Sequence, residues 1–179
     1  MVDIPTLETE RLRLRGYRLS DFDAYFAIFA DPEVVRFLGG TPFNREQSWA
    51  RFMRQMGIWH HLGFGYWAIE DRATGAFAGE CGFHDLQRGL TPSLDGTMET
   101  GWGLATAFQG RGLAEEAVRA CLAWAYDHGP RDPLTAIIDP DHARSRRLAT
   151  RLGFAKVAQS SYHDQPVDIF ERPRRALSA

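Results

Sequence analysis

The sequence contains little that would mark a secreted, membrane-spanning or disulfide-stabilised protein. Its 179 residues include only two cysteines, Cys81 and Cys121. They stand far apart in the chain, so they suggest neither a disulfide framework nor a metal-binding pair. No apolar run approaches the length of a membrane span, and the N-terminus lacks the basic-then-apolar pattern of a signal peptide. These absences predict a reducing, cytoplasmic setting and no membrane partner.

An excess of charge of one sign is also missing. The chain has 21 Lys and Arg residues against 23 Asp and Glu residues, a net charge of −2. This balance argues against a nucleic-acid partner held by bulk charge. The six histidines lack the spacing of metal ligands, so no metal site is predicted. At this length we expect residues 1–179 to form one domain.

The N-terminal part alternates strand and helix signals. Leucines and arginines alternate over residues 11–15 and predict a first strand that ends near Tyr17. Ser20 with Asp23 resembles a capping box and predicts a helix to about Ala30. A proline follows at residue 32, which is typical of the first position of a short second helix.

A longer helix and a hairpin follow. Asn44 with Gln47 predicts the next helix start, and four apolar residues at helical spacing predict its core face: Trp49, Phe52, Met53 and Met56. Residues 66–70 and 76–84 are predicted to form a β-hairpin with glycine at its turn. His84-Asp85, at the end of this hairpin, is interpreted as a structural pair rather than as a proton carrier.

The C-terminal half contains one strand–helix–strand crossover. Residues 98–104 predict a strand, 113–128 a helix and 134–138 a buried strand. A helix over 143–152 follows, closed by Gly153. Two weaker strands are predicted near Ala155–Ser160 and Val167–Glu171. The order of elements predicts an α+β fold.

The segment Gln109-Gly110-Arg111-Gly112-Leu113-Ala114 joins a predicted strand to a helix. Its glycines allow the backbone to approach a ligand, and free N–H groups at a helix start bind anions such as a diphosphate. A P-loop would need Lys-Ser/Thr after Gly112, and a dinucleotide fingerprint would need glycine or alanine where Glu115 stands. A plain structural turn stays open on these residues alone.

This segment resembles the Gln/Arg-x-x-Gly-x-Gly/Ala pyrophosphate motif of the GNAT acetyltransferase superfamily. Four other segments are similar to its ribosomal-protein N-acetyltransferase branch: Glu10–Arg15, Asp31–Arg36, Glu99–Trp102 and Arg151–Phe154. The resemblance covers Thr9 to about Glu171. It implies a mixed, mostly antiparallel twisted sheet of about seven strands, flanked by helices, with a splayed central strand pair.

The resemblance implies acetyl-CoA as co-substrate, with no metal. The residues implied to bind it are Trp102, Gly103, Leu104, Gln109, Gly110, Arg111, Gly112, Leu113, Ala114, His142, Ser145 and Arg146. An amide near Gly103 or Leu104 would polarise the thioester carbonyl. His142 departs from the family, which has asparagine at this position.

Three residues are implied to be catalytic. Glu99 stands where the branch carries a glutamate, and on a strand it should share a face with Gly101. We expect it to accept the amine proton, since a protonated amine cannot attack. Leu104 would supply the polarising amide. Many GNAT enzymes carry a tyrosine acid where this chain has Ala149, which leaves Ser145 as a candidate proton donor.

The resemblance implies transfer of acetyl to a primary amine, on a protein N-terminus or a small molecule, by direct attack in a ternary complex. The residues expected around the acceptor are Phe37, Leu38, Phe43, Glu99 and Tyr162. Two other functions stay open: a catalytically weak acyl-CoA-binding module, and a nucleotide-binding protein that uses the same loop for phosphates. The oligomeric state is open too, with a homodimer among the options.

Overall fold

The computed structural model describes residues 3–129 and 133–173. Within them lie eight strands: β1 (Leu7–Glu8), β2 (Leu12–Arg15), β3 (Tyr66–Asp71), β4 (Phe77–His84), β5 (Met98–Leu104), β6 (Leu134–Ile138), β7 (Ala155–Tyr162) and β8 (Gln165–Arg172). The five α-helices are α1 (Phe22–Phe29), α2 (Pro32–Val35), α3 (Arg45–Leu62), α4 (Leu113–His128) and α5 (Ala143–Arg151). The predicted α+β fold is confirmed, with one strand more than the expected seven.

All eight strands belong to one open sheet, in the order β1-β2-β3-β4-β5-β6-β8-β7. Neighbouring strands are antiparallel except β5 and β6, which are parallel. A parallel pair needs a crossover connection, and α4 supplies it. The predicted strand–helix–strand unit is therefore confirmed and lies at the centre of the sheet.

Each face of the sheet buries its own apolar cluster. Trp67 and Ile69 point to the face covered by α4 and α5, where they join a cluster that contains Val118 and Leu148. The alternate residues of β3, including Tyr66, point to the other face and pack with aromatic side chains of α1 and α3. Side chains alternate along a strand, and residues paired across neighbouring strands point to the same face. The pairing of β3 with β4 and of β4 with β5 therefore assigns each paired residue of β4 and β5 to a face.

The capping patterns in the sequence predict one helix start correctly and another incorrectly. The Asn44 side chain accepts the N–H of Gln47, and the Gln47 side chain accepts the N–H of Asn44, both at 2.9 Å. The predicted cap at Ser20 is wrong, because α1 is capped by Asp21, whose side chain accepts no N–H of the helix and instead accepts the backbone N–H of Arg18 at 2.7 Å. The helix α1 begins one residue later, at Phe22.

The predicted core stripe of α3 is wrong in part. Phe52 is fully buried, but Trp49 is 43% exposed and Met53 is 42% exposed. The residues of α3 that face the sheet are Ser48, Phe52, Gln55 and Trp59, at helical spacing. Trp49 lies on the flank of this stripe, where its ring meets the edge of Phe22 at 4.7 Å between centroids.

Within residues 3–129 and 133–173, no helix has both the length and the apolar character needed to cross a membrane. No group of three or more His, Cys, Asp or Glu side chains in these residues is arranged to hold a metal ion.

Candidate active site

The sheet opens along its only parallel pair in the described residues. Strands β5 and β6 pair at two positions, Met98 with Leu134 and Glu99 with Thr135. Beyond them β5 continues to Leu104 along β4, while β6 continues along β8. A gap therefore separates the C-terminal ends of β5 and β6, and the expected splayed central pair is confirmed.

The backbone of β5 turns polar groups toward this gap. The N–H of Ala105 donates to the carbonyl of Ala78 on β4 at 2.9 Å. Neighbouring residues of a strand direct their N–H groups to opposite edges, so the N–H of Leu104 faces the gap. The Leu104 carbonyl accepts the side-chain N–H of Gln109 at 3.0 Å, and the Gln109 oxygen accepts from Arg144 of α5 at 2.8 Å.

The glycine loop lies where β5 leads into α4. Gly110 and Gly112 have φ angles of 75° and 77°, a region that L side chains rarely adopt. Gly112 caps α4 without any side-chain hydrogen bond, so the N–H groups at the start of the helix are free for a ligand. The loop is held from outside by Arg11, which donates to the carbonyl of Arg111 at 2.9 Å.

The side chains of this region divide between core and solvent. Trp102, Leu113 and Ala114 pack against the cluster on the α4 face. Gly103 is open: a Cβ added there would meet no atom within 4 Å. The predicted cofactor residues of β5 and the loop thus leave mainly backbone groups facing the gap.

The start of α5 brings a predicted cofactor residue against a predicted acceptor residue. The rings of His142 and Phe37 stack with centroids 4.2 Å apart and an interplanar angle of 13°. Burial lowers the pKa of His142, so its ring is neutral near neutral pH. Ser145, one turn further along, is half-buried.

Arg146 is directed away from the loop. Its Nη1 donates to the carbonyl of Pro140 at 3.1 Å, and its Nε lies 3.4 Å from the buried carboxylate of Asp168. Lys156 also contacts Asp168, at 2.7 Å. A phosphate contact by Arg146 would require its guanidinium to leave Asp168.

Glu99 lies on the face opposite α4 and is 5% exposed. Arg88 donates to both of its carboxylate oxygens, at 2.8 and 2.9 Å, and His84 Nε2 lies 2.9 Å from one of them. Burial raises the pKa of Glu99, but the hydrogen bonds from His84 and Arg88 and the charge of Arg88 outweigh it, so this pKa lies below its ordinary value. The ionised carboxylate of Glu99 therefore holds both Arg88 and His84 in place.

His84 is the neutral partner of this pair. Burial lowers its pKa below the ordinary 6.5. A neutral ring beside an ionised carboxylate carries its proton on Nε2, which leaves Nδ1 as an acceptor. Nδ1 is buried and has no hydrogen-bond partner among the described residues. The sequence interpretation of His84 with Asp85 missed this pairing, because His84 and Glu99 meet only through the register of β4 and β5.

The predicted acceptor residues do not form one contiguous group. Tyr162 joins the Glu99 cluster, since the Arg88 guanidinium lies 4.4 Å from the centre of its ring. Phe43 instead stacks on Phe29 of α1 at 6.0 Å. Leu38 is 48% exposed and is not part of either group. No local pattern marked Arg88, which lies in the loop after β4.

Comparison with known proteins agrees with this architecture. The family model for the acetyltransferase (GNAT) domain matches residues 11–155. The N-acetyltransferase p20 of Bacillus licheniformis is 31% identical over 153 residues, 84% of this chain and 83% of p20.

Solved structures share the fold. A GNAT-family acetyltransferase from Bordetella pertussis has a TM-score of 0.83 and 32% identity, over 94% of this chain and 99% of that one. The ribosomal L7/L12 alpha-N-protein acetyltransferase RimL, in complex with coenzyme A, has a TM-score of 0.76 and 14% identity, over 94% and 98%. The GNAT family uses acetyl-CoA for acetyl transfer. By its sequence and its fold, this chain belongs to the GNAT acetyltransferase family.

Proposed function

We propose that the chain transfers the acetyl group of acetyl-CoA to a primary amine, on a protein N-terminus or a small molecule, by direct attack in a ternary complex. The observation that carries the proposal is the gap between β5 and β6. It opens beside a glycine loop and the start of α4, whose N-cap Gly112 makes no side-chain hydrogen bond. RimL, named for acetylation of a protein α-amine, supports the N-terminus as one acceptor class.

The donor side fits a diphosphate joined to a narrow, polar chain. Gly110 and Gly112 expose their backbone, Arg111 adds a positive charge, and the free N–H groups at the start of α4 attract an anion. Gln109 fixes the loop to the end of β5. We assign the diphosphate to this loop and the pantetheine arm to the gap, along the backbone of residues 102–104.

The residues of β5 would also act on the thioester. Acetyl-CoA supplies the acetyl group in a form that an amine can attack. The N–H of Leu104 faces the gap, where it is placed to bond the carbonyl oxygen as negative charge develops. We assign His142 and Ser145, at the start of α5, to contacts with the pantetheine arm, with Ser145 as a candidate donor to the sulfur.

The acceptor amine must lose a proton, and Glu99 with His84 is the group proposed to take it. The pKa of Glu99 is lowered, so the carboxylate alone is a weak base. Its hydrogen bond fixes the His84 tautomer and leaves Nδ1 as the acceptor atom. Glu99 then acts as a positioning residue for His84 and as a negative charge beside the cationic amine. Because Nδ1 is buried, the proton would travel by a water molecule.

We place the acceptor on the face of α1 to α3, between Glu99, Tyr162 and the segment that carries Phe37, Leu38 and Phe43. The Tyr162 ring lies against Arg88, which binds the Glu99 carboxylate, and Leu38 offers exposed apolar surface. Such a combination suits an amine carried on a partly apolar group.

The proposal is tested by release of free thiol from acetyl-CoA against a panel of peptides, aminoglycosides and polyamines. We expect amine-dependent release with at least one class, and a product heavier by one acetyl group in mass spectrometry. CoA binding without acetylation of any amine would favour the acyl-CoA-binding module instead. Binding of ATP that CoA does not displace would favour the nucleotide-binding alternative.

A further inference from the structure

The hydroxyl of Tyr66 rests against the backbone of Gly101. A Cβ added at Gly101 would overlap this hydroxyl oxygen and lie 3.0 Å from the ring carbon Cζ. Gly101 belongs to the part of β5 that has separated from β6, and the face in question is the one that carries Glu99. Tyr66 therefore ends over the stretch of β5 that borders the gap, between the proposed amine end at Glu99 and the proposed carbonyl contact at Leu104.

Contacts with neighbouring residues fix the position of Tyr66. Trp59 donates its indole N–H to the Tyr66 carbonyl at 2.9 Å. A Cβ on Gly65 would lie 2.5 Å from the Trp59 ring, and one on Gly82 would lie 2.6 Å from the Tyr66 Cα. The Tyr66 ring stacks on His84 with centroids 5.1 Å apart. Close packing on every side fixes the ring and aims its hydroxyl.

The hydroxyl itself is unused. Tyr66 is 3% exposed as a residue, and its hydroxyl has no hydrogen-bond partner among residues 3–129 and 133–173, yet it is not one of the fully buried unpaired atoms there. By contrast, the hydroxyl of Tyr17 donates to Glu80 at 2.7 Å, and the hydroxyl of Tyr25 accepts from Arg51. The Tyr66 oxygen therefore keeps some accessible surface although its ring is buried, and a donor in that position is available to a ligand. The gap is the direction from which a partner can come.

The hydroxyl also keeps its proton. Burial and the nearby Glu80 carboxylate raise the pKa of Tyr66 well above its ordinary value of 10. It is therefore a hydrogen-bond donor throughout the physiological range, and too weak an acid to surrender its proton to a thiolate. Its chemistry is donation of a hydrogen bond to developing negative charge.

We propose that the Tyr66 hydroxyl donates a hydrogen bond to the sulfur of acetyl-CoA as the thiolate leaves. The inference rests on the proposed acetyl transfer. In that step the amine nitrogen forms a bond to the acetyl carbon, the carbon–sulfur bond breaks, and its electron pair passes to sulfur. The amine proton goes through water to His84, and the thiolate, held by Tyr66, later takes a proton from solvent.

The sulfur is favoured over the carbonyl oxygen as the atom that Tyr66 meets. The oxygen already has a proposed donor in the Leu104 N–H. For the sulfur, α5 offers only Ser145 as a candidate donor, since Ala149 is a fully buried methyl group. Tyr66 offers a second hydroxyl, from the opposite face of the sheet.

The first test measures the pKa of the CoA thiol in the bound state. Thiolate absorption is followed against pH in complexes of the wild type and Tyr66→Phe, with desulfo-CoA complexes as blanks. A hydrogen bond to a charged acceptor stabilises the thiolate, so we expect a bound pKa lower in the wild type by about one unit. Tyr126→Phe is the matched control, since its buried hydroxyl also lacks a partner among the described residues but lies on α4. Equal thiol pKa values in wild type and Tyr66→Phe would overturn the proposal.

The second test varies the leaving group in single-turnover reactions. Tyr66→Phe should slow transfer from acetyl-CoA by roughly tenfold to a hundredfold, but slow transfer from the selenoester analogue much less, because a selenolate needs less stabilisation. Equal slowing with both donors would contradict a contact to sulfur. A donor-dependent defect in Ser145→Ala instead of Tyr66→Phe would assign the role to Ser145. A wild type that acetylates no amine would contradict the proposed function, while the thiol titration would still test Tyr66.

Discussion

Replacing Gly101 with alanine would add a Cβ at the contact between Tyr66 and Gly101, and this gives a test of the geometry that needs no substrate. Gly101 has an ordinary strand conformation, so alanine there meets no backbone strain. Its Cβ would overlap the Tyr66 hydroxyl and lie 3.0 Å from Cζ, and the ring has little room to move because Gly82 packs against the Tyr66 Cα and His84 stacks on the ring. Overpacking of this kind costs about 1–3 kcal/mol. Removing the hydroxyl with Tyr66→Phe should relieve most of that cost and leave only the contact at Cζ.

The measurement is a double-mutant cycle of urea unfolding on the wild type, Gly101→Ala, Tyr66→Phe and the double variant. We expect Gly101→Ala to lower the free energy of unfolding by about 2 kcal/mol in the wild type and by less than about 1 kcal/mol beside Phe, a coupling of about 1 kcal/mol or more. Gly103→Ala is the control, because its Cβ would meet no atom within 4 Å and should be tolerated. Additive effects, or an equal loss in the control, would refute the placement of the hydroxyl.

Three further predictions concern the site and its stability. Glu99→Gln should lower turnover by about a hundredfold or more while CoA affinity stays unchanged, because the charge that orients His84 is lost. Steady-state kinetics measure the turnover and calorimetry measures the affinity. Full turnover in this variant would remove Glu99 from the mechanism. The folded pKa of His84 is depressed, so the unfolded chain binds a proton first and stability should fall as pH drops below 6.5. In thermal melts at a series of pH values His84→Gln should flatten that fall, and an unchanged slope would contradict a neutral His84. Gly112→Ala should weaken CoA binding and cost about 1 kcal/mol of stability, since its φ of 77° strains an L residue, and unaltered affinity in titration calorimetry would count against the loop.

Features set by neighbours in the chain were readable from the sequence. The capping box of Asn44 and Gln47, the exposed glycine loop and the crossover through α4 are all local patterns, and the structure has each of them. The helix α4 has the predicted bounds, Leu113–His128. A short, strongly patterned segment has few alternative conformations, which is why such predictions succeed.

Features that depend on distant residues were not readable. The pairing of His84 with Glu99 follows from the register of two strands, and Arg88 reaches the same carboxylate from a loop without a pattern. The contact of Tyr66 with Gly101 crosses from β3 past β4 to β5. Sequence spacing gave Glu99 a face but no partners, so the carboxylate looked like a free base when it is tied to Arg88 and His84.

The short pairing of β5 with β6 gives the sheet an unpaired edge in its interior. Edges at the rim of a sheet attract other chains, because any extended peptide can bond to them. Here the edge of β5 is flanked by β6, which leaves the N–H of Leu104 open to a ligand about as narrow as a single chain. In the proposed binding mode a pantetheine arm lying there would bond as an added strand does, and the ligand would complete the sheet while β6 keeps other proteins away from this edge.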